Sequence, residues 1–290
     1  MPLAHVAIAV LAVSLFGGQW VAARVVQAQV PPFLVVVLRF AFIAAVMLPF
    51  VRRPRAAQWR RVAVIATFVG GFNLALSYVG VGRIDSSTAV IVSQLMAPFT
   101  VLLSVLLLKE RVGWGAAAGI ALALAGVVVL IGAPETPPDP LGVLLVALAS
   151  LSFGVGSVLT RRWGPLDANM LNGWSAAVGL VQIGALTLIF ERGQLEALAA
   201  ADARGWAAIV YICAAGGLLG FALWYWLIAR HPTSRLSPFL LLSPVAGMLG
   251  GIVLLGEPLT LAKALGGAIV IAGVALVQLD ARLSQRRAGP

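Results

Sequence analysis

A chain of 290 residues that is 61% hydrophobic and 10% charged, with a mean hydropathy of +1.02, has too little polar cover to be a soluble globular domain. The composition points to an all-α polytopic membrane protein, because the period-2 alternation of a membrane barrel is absent. The net charge of +10 and pI near 11.3 come from basic residues beside apolar runs, which report membrane orientation and argue against nucleic acid as a partner.

Hydrophobic runs broken by charge predict ten helices, at about 3–24, 33–51, 62–82, 86–108 and 113–133, then 140–160, 169–190, 206–228, 235–256 and 261–280. The first run lacks a basic stretch ahead of it and is matched by the run starting near Leu141, so it reads as a retained helix and not a cleaved signal. Residues 1–133 form a first five-helix repeat, 134–140 a proline-rich linker, 141–280 a second repeat and 281–290 a basic tail expected in the cytoplasm. The evidence for duplication is a common offset of 147: Glu110 matches Glu257, Gly119 matches Gly266, Gly126 matches Gly273 and Tyr78 matches Tyr225. Five spans is an odd number, so the second repeat enters the membrane inverted, and inverted repeats built around a central cavity are a transporter architecture.

With both termini inside, the inside loops and tail carry fourteen Lys and Arg, the outside loops carry Arg24, Arg83, Arg192, Arg204 and Lys263, and Arg39 falls within a span. That bias places both termini in the cytoplasm, for a bacterial chain of an inner (plasma) membrane.

Prolines near the centres of the fourth and ninth helices, Pro98 and Pro244, each remove an intrahelical hydrogen bond and are candidate helix-break or gating points. Ser93, Gln94 and Met96 flank the first, and Phe239 and Ser243 flank the second. The other reading is a simple kink. Polar residues in apolar spans are costly and ask for a partner or a wet cavity; these are Ser14, Gln19, Asn73, Ser77, Ser152, Ser157 and Gln182. Interhelical bonding would satisfy them equally. Uncharged donors and acceptors suit a neutral or zwitterionic substrate. Trp20, Tyr78 and Phe99 are candidates for an aromatic wall, whereas Trp59, Trp114, Trp163, Trp174 and Trp206 sit where interfacial anchors belong. Arg39, about six residues into the second helix, either snorkels to the interface or serves as an electrostatic site for a substrate carboxylate. The glycines of the fifth and tenth helices, Gly115, Gly119, Gly126, Gly266, Gly267 and Gly273, indicate packing or a dimer interface.

Together these features resemble the drug/metabolite transporter superfamily, and within it the ten-helix EamA family. The resemblance rests on Gly17-Gly18-Gln19-Trp20 with Arg24 downstream, on Leu38-Arg39-Phe40, and on the duplicated blocks from Pro98 to Lys109-Glu110 and from Pro244 to Gly256-Glu257. It departs from the family at Phe16, where a Trp is usual. The resemblance implies alternating-access movement of small metabolites, mostly amino acids and often outward. The YddG-type exporters of aromatic amino acids share the layout, and the aromatic content makes that subgroup attractive. Related small multidrug exporters depend on a Glu in their first helix; here every Asp and Glu maps to a loop or a helix end. Proton-coupled export of lipophilic cations is thereby the weaker alternative, and a non-transporting scaffold weaker still. With one cysteine, Cys213, and two histidines, His5 and His231, each near a helix end, no metal site, cofactor or catalytic constellation is expected. The oligomeric state, monomer or dimer, is open.

Overall fold

The computed structural model describes residues 1–110, 113–132, 137–164, 166–231 and 233–287. Among the described residues, ten helices are long and apolar enough to cross a membrane, and no strand is present. They are α1 (Leu3–Gln27), α2 (Pro32–Met47), α3 (Ala56–Val81), α4 (Ser86–Leu108), α5 (Trp114–Ile131), α6 (Pro140–Arg162), α7 (Ala168–Phe190), α8 (Ala203–Ile228), α9 (Thr233–Leu240 continued by Leu242–Leu255) and α10 (Leu261–Arg287). Ten crossings leave both termini on one side, called here the terminal face; the other is the distal face. Large apolar side chains such as Val128, Val181, Leu188, Phe190 and Val253 stay exposed around the bundle, as lipid contact requires.

Three helices outrun their hydropathy. α3 begins at Ala56 and α8 at Ala203, because polar first turns are capped: the Arg55 N–H donates to the Gln58 side chain, and the Asp202 carboxylate accepts from Gly205 N. α10 continues to Arg287, so most of the segment expected as a basic tail is helix.

The pairings of the helices follow the repeat. α1 packs on α8 and α9 while its counterpart α6 packs on α3 and α4; α2 pairs with α7, and α5 with α10. The first and sixth helices are thus exchanged into the opposite repeat, and the two five-helix halves interlock around the centre. The α5–α10 contact is close because of its glycines: a Cβ on Gly119 would stand 2.7 Å from the Gly273 carbonyl, and one on Gly126 2.8 Å from that of Gly266. These glycines are therefore spent on packing within the chain.

Two irregularities recur in both halves. The helical ladder breaks at Gln94–Leu95 in α4 and at Leu241 in α9. Pro98 and Pro244, expected as break points, each lie in the first turn of the segment after the break, and the N–H that each lacks would have met the carbonyl four residues earlier, of Gln94 and of Leu240, at the break itself. The other irregularity is a π-helical stretch, Thr67–Phe72 in α3 and Tyr211–Leu219 in α8. Such wide turns tilt carbonyls out of the ladder and toward side chains of neighbouring helices.

The fourth helix of each repeat ends on a left-handed residue, Lys109 at φ 56° and Gly256 at φ 66°. Glycine adopts this conformation freely, while Lys109 bears a cost of roughly 1 kcal/mol.

Candidate functional site

The two helix breaks, with the turns that follow the π stretches, line a cavity of about 450 Å³. Its wall comprises Phe16, Gln19, Trp20 and Ala23 of α1, Arg39 of α2, and Asn73, Leu74, Ser77, Tyr78 and Val81 of α3. Ser93, Gln94, Met96 and Ala97 at the α4 break, Phe153 of α6, Phe221 and Trp224 of α8, Leu240 and Ser243 at the α9 break, and Val274 and Gln278 of α10 complete it. No Asp or Glu is among them.

The polar atoms divide into spent and unspent. Gln19 donates to the Gly216 carbonyl at 3.3 Å, a group freed by the π turn of α8, and Asn73 donates through Nδ2 to Ala149 O at 2.8 Å. Ser93 returns its hydroxyl to Val90 O at 2.7 Å. Ser77, Gln94 and Ser243 make no side-chain hydrogen bond within the protein, which leaves them available to a solute. The Tyr78 hydroxyl and the Arg39 Nε are fully buried and lack a hydrogen-bond partner. The two groups interact electrostatically, and Arg39 also faces Cys213. Among the described residues the ion pairs are Arg83–Asp139, Arg161–Glu110 and Lys263–Asp85, so the cation of Arg39 has no carboxylate opposite it.

The cavity is polar at one end and aromatic at the other. Ala23, Arg39, Tyr78 and Val81 lie toward the distal face; Phe16, Phe221, Trp224, Leu240 and Gln278 lie toward the terminal face. Phe16 packs on Phe221 at 4.9 Å between centroids and on Trp224 at 6.4 Å. Seven residues of α1 separate Phe16 from Ala23, a rise of about 10 Å.

The helices are tied together on the distal side. Arg24 donates to the carbonyls of Val81 at 3.3 Å and Gly82 at 2.6 Å, tying α1 to the end of α3. Gly247 lies against Gly17 and Val90, where a Cβ would stand 3.0 Å from the Gly17 carbonyl. Beyond them Glu257, only 8% exposed, accepts at 2.7 Å from both the N–H and the hydroxyl of Ser86, at 2.9 Å from Ser87 N, and from the Ser87 hydroxyl. A carboxylate at a helix N-terminus receiving four donors is a strong tie between α9 and α4. Lys263 adds an ion pair to Asp85 at 2.5 Å.

Of the residues predicted from sequence, the structure brings Gln19, Trp20, Arg39, Asn73, Ser77, Tyr78, Ser93, Gln94, Met96 and Ser243 to this wall. Ser14, Phe99, Ser152, Ser157, Phe239, Pro98 and Pro244 are not on it. Ser152 donates to the Phe68 carbonyl at 2.8 Å, and Gln182 to Thr67 Oγ1 at 2.7 Å, so both serve the π stretch of α3. Phe239 packs with Ala9, Leu227 and Leu236, and Phe99 against the main core. Sequence reasoning missed Phe16, Phe153, Phe221, Val274 and Gln278, and assigned α10 to packing or a dimer interface. The Trp224-Tyr225-Trp226 run was the available signal: Trp224 faces the cavity, Tyr225 is 46% exposed, and Trp226 meets His5 edge-on beneath the Arg230 guanidinium. His5 and His231 join at 2.6 Å, and among the described residues no three metal-ligating side chains group together.

The comparisons with known proteins agree with this architecture. A "probable amino-acid metabolite efflux pump" of Salmonella typhimurium is 30% identical over 92% of both chains. A "probable terminal-alkyne amino-acid exporter" of Streptantibioticus cattleyicolor is 28% identical over 78% of this chain and 75% of its own. A protein of known crystal structure superposes with a TM-score of 0.64 at 23% identity, covering 95% of this chain and 98% of its own. The EamA-like transporter model matches twice, over residues 3–132 and 140–279, and the chain belongs to the EamA-like transporter family.

Proposed function

We propose that this transporter moves amino acids, large neutral or aromatic ones above all, out of the cytoplasm by alternating access through the central cavity. The observation that carries the reading is the wall itself: unspent amides and hydroxyls, an aromatic end, and no acidic residue. Such a wall suits a zwitterion with an apolar side chain, and its one cation repels lipophilic cationic drugs. Relatives whose names specify amino-acid efflux support the same class. The excess of Lys and Arg on the terminal face supports cytoplasmic termini, and the inner membrane of a bacterium is the fitting location. One chain supplies both halves of the path, so the reading calls for no cofactor, metal, nucleic acid or catalytic step. The absence of acidic groups on the wall favours a carrier that does not bind protons there.

The test is uptake of labelled amino acids into proteoliposomes with and without a proton gradient, comparing the parent with Gln94→Ala. Flux of leucine or phenylalanine that survives collapse of the gradient and falls in the variant is the expected result. Flux confined to cationic drugs and dependent on the gradient would overturn the reading.

A further inference from the structure

We propose that Arg39 and Tyr78 form a carboxylate subsite at the distal end of the cavity, which fixes the orientation of the solute. The inference rests on the reading of the chain as an amino-acid carrier and adds which atoms of the substrate meet which atoms of the protein. A guanidinium within the span, on the cavity wall and without a counter-ion, is costly unless something anionic visits it. Its Nε is enclosed and unpaired, while the two terminal nitrogens reach the cavity and make no hydrogen bond among the described residues, so this planar end can take two carboxylate oxygens in parallel. The neighbouring Tyr78, 5% exposed, sets its enclosed hydroxyl beside the guanidinium and so positions the Arg39 fork.

A single positive charge on a planar fork suits a monoanion; a phosphate monoester would bring about two negative charges against one cation. The amine of the same solute finds acceptors close by in Ser77, Gln94 and the free carbonyl oxygen of Asn73. About 10 Å toward the terminal face, Phe16 and Trp224 offer an apolar bed for the side chain. The solute therefore lies with its carboxylate toward the distal face and its side chain toward the terminal face. Arg39 lines the central cavity, so its cation faces that space and not the lipid interface.

The experiment is competition binding and flux with three ligands: L-phenylalanine, L-phenylalaninamide, which lacks the carboxylate, and 3-phenylpropionate, which lacks the amine. The parent should prefer phenylalanine to the amide by roughly 30-fold or more, the scale of a desolvated, hydrogen-bonded charge pair. Arg39→Gln should lose roughly that factor for phenylalanine and phenylpropionate and hold the amide within about twofold. Arg39→Lys, which keeps the charge without the planar fork, should fall between, and Tyr78→Phe should lose about three- to tenfold for the two carboxylates alone. If Arg39→Gln does not fold, the ligand ratios of these two milder variants decide. Unchanged discrimination in the variants overturns the subsite while leaving amino-acid transport standing. Arginine-dependent binding of phenylpropionate by a parent that takes no amino acid overturns the amino-acid reading and upholds the subsite. Failure of the parent to bind either carboxylate overturns both.

Discussion

In both repeats a glutamate follows the fourth helix, yet the two carboxylates are differently engaged. Glu257, at the distal face, is buried and holds the N-terminal backbone and hydroxyls of Ser86 and Ser87. Glu110, at the terminal face, has a side chain 40% exposed and, among the described residues, receives only Arg161, at 2.5 and 3.3 Å. At the offset of 147, Ser86-Ser87 corresponds to Thr233-Ser234, the first residues of α9, so a hydroxyl pair is encoded on both faces. The tie is assembled on the distal face, where Lys263 and Asp85 reinforce it; their counterparts at that offset are Ala116 and Pro232, which cannot pair. A duplicated element thus ties two helices together on one face while its copy rests on a surface ion pair on the other.

Three measurements break or sharpen this contrast. The largest effect belongs to Glu257→Ala, which strips four donors of their acceptor at a cost of roughly 2–4 kcal/mol to the distal tie. In a Cys213→Ser background, a cysteine at Val90, fully buried at the Gly247 contact, should react with an impermeant maleimide from the distal side roughly tenfold faster in that variant. Glu110→Ala should leave this rate within about twofold, since a pair as exposed as Arg161–Glu110 is worth less than about 1 kcal/mol. Equal rates in the two variants would erase the contrast. A smaller effect is expected of Gly17→Ala, whose methyl would stand 2.7 Å from Gly247 N and also press on the Ser243 carbonyl. It should speed labelling at Val90 by a fewfold, with flux reduced.

The smallest effect concerns the distal pair Arg83–Asp139. The hydrogen bond from Arg83, then that from the Leu141 backbone, hold the Asp139 carboxyl below its ordinary value of 3.8. A lowered carboxyl contributes stability that is complete above the ordinary value and vanishes as pH falls through the lowered one. The melting temperature of Asp139→Asn should therefore trail the parent slightly at neutral pH and meet it once the pH is well below 3.8.

Much of the fold was legible because hydropathy and a fixed offset are properties of the linear chain. The ten spans and the matched Glu110 and Glu257 need no contact to be seen. Polar residues in apolar spans also announce themselves, which is why Gln19, Asn73, Ser77 and Gln94 stood out. What they bond to does not follow: Ser152 looks like Ser77 in sequence, yet its hydroxyl is spent on Phe68 O. Phe16, Phe153 and Phe221 were hidden for the opposite reason, since an inward phenylalanine in an apolar helix has the same neighbours in sequence as one facing lipid. The π stretches escaped as well, because hydropathy is blind to which carbonyl an N–H selects. The helix breaks lie three to four residues before Pro98 and Pro244, because the bond a proline cannot make belongs to the carbonyl one turn earlier.

The glycine contact between α5 and α10 has a wider consequence. Gly119 meets Gly273 and Gly126 meets Gly266, and the offset of 147 equates Gly119 with Gly266 and Gly126 with Gly273. Each residue therefore touches the copy of the other, which is the reciprocity of an isologous two-fold interface. The chain carries within itself the handshake of two antiparallel half-sized subunits. Joining them in one polypeptide relieved the halves of having to be identical, and the pairs that no longer match, Lys109 against Gly256 and Asp85 against Pro232, show where that freedom was taken.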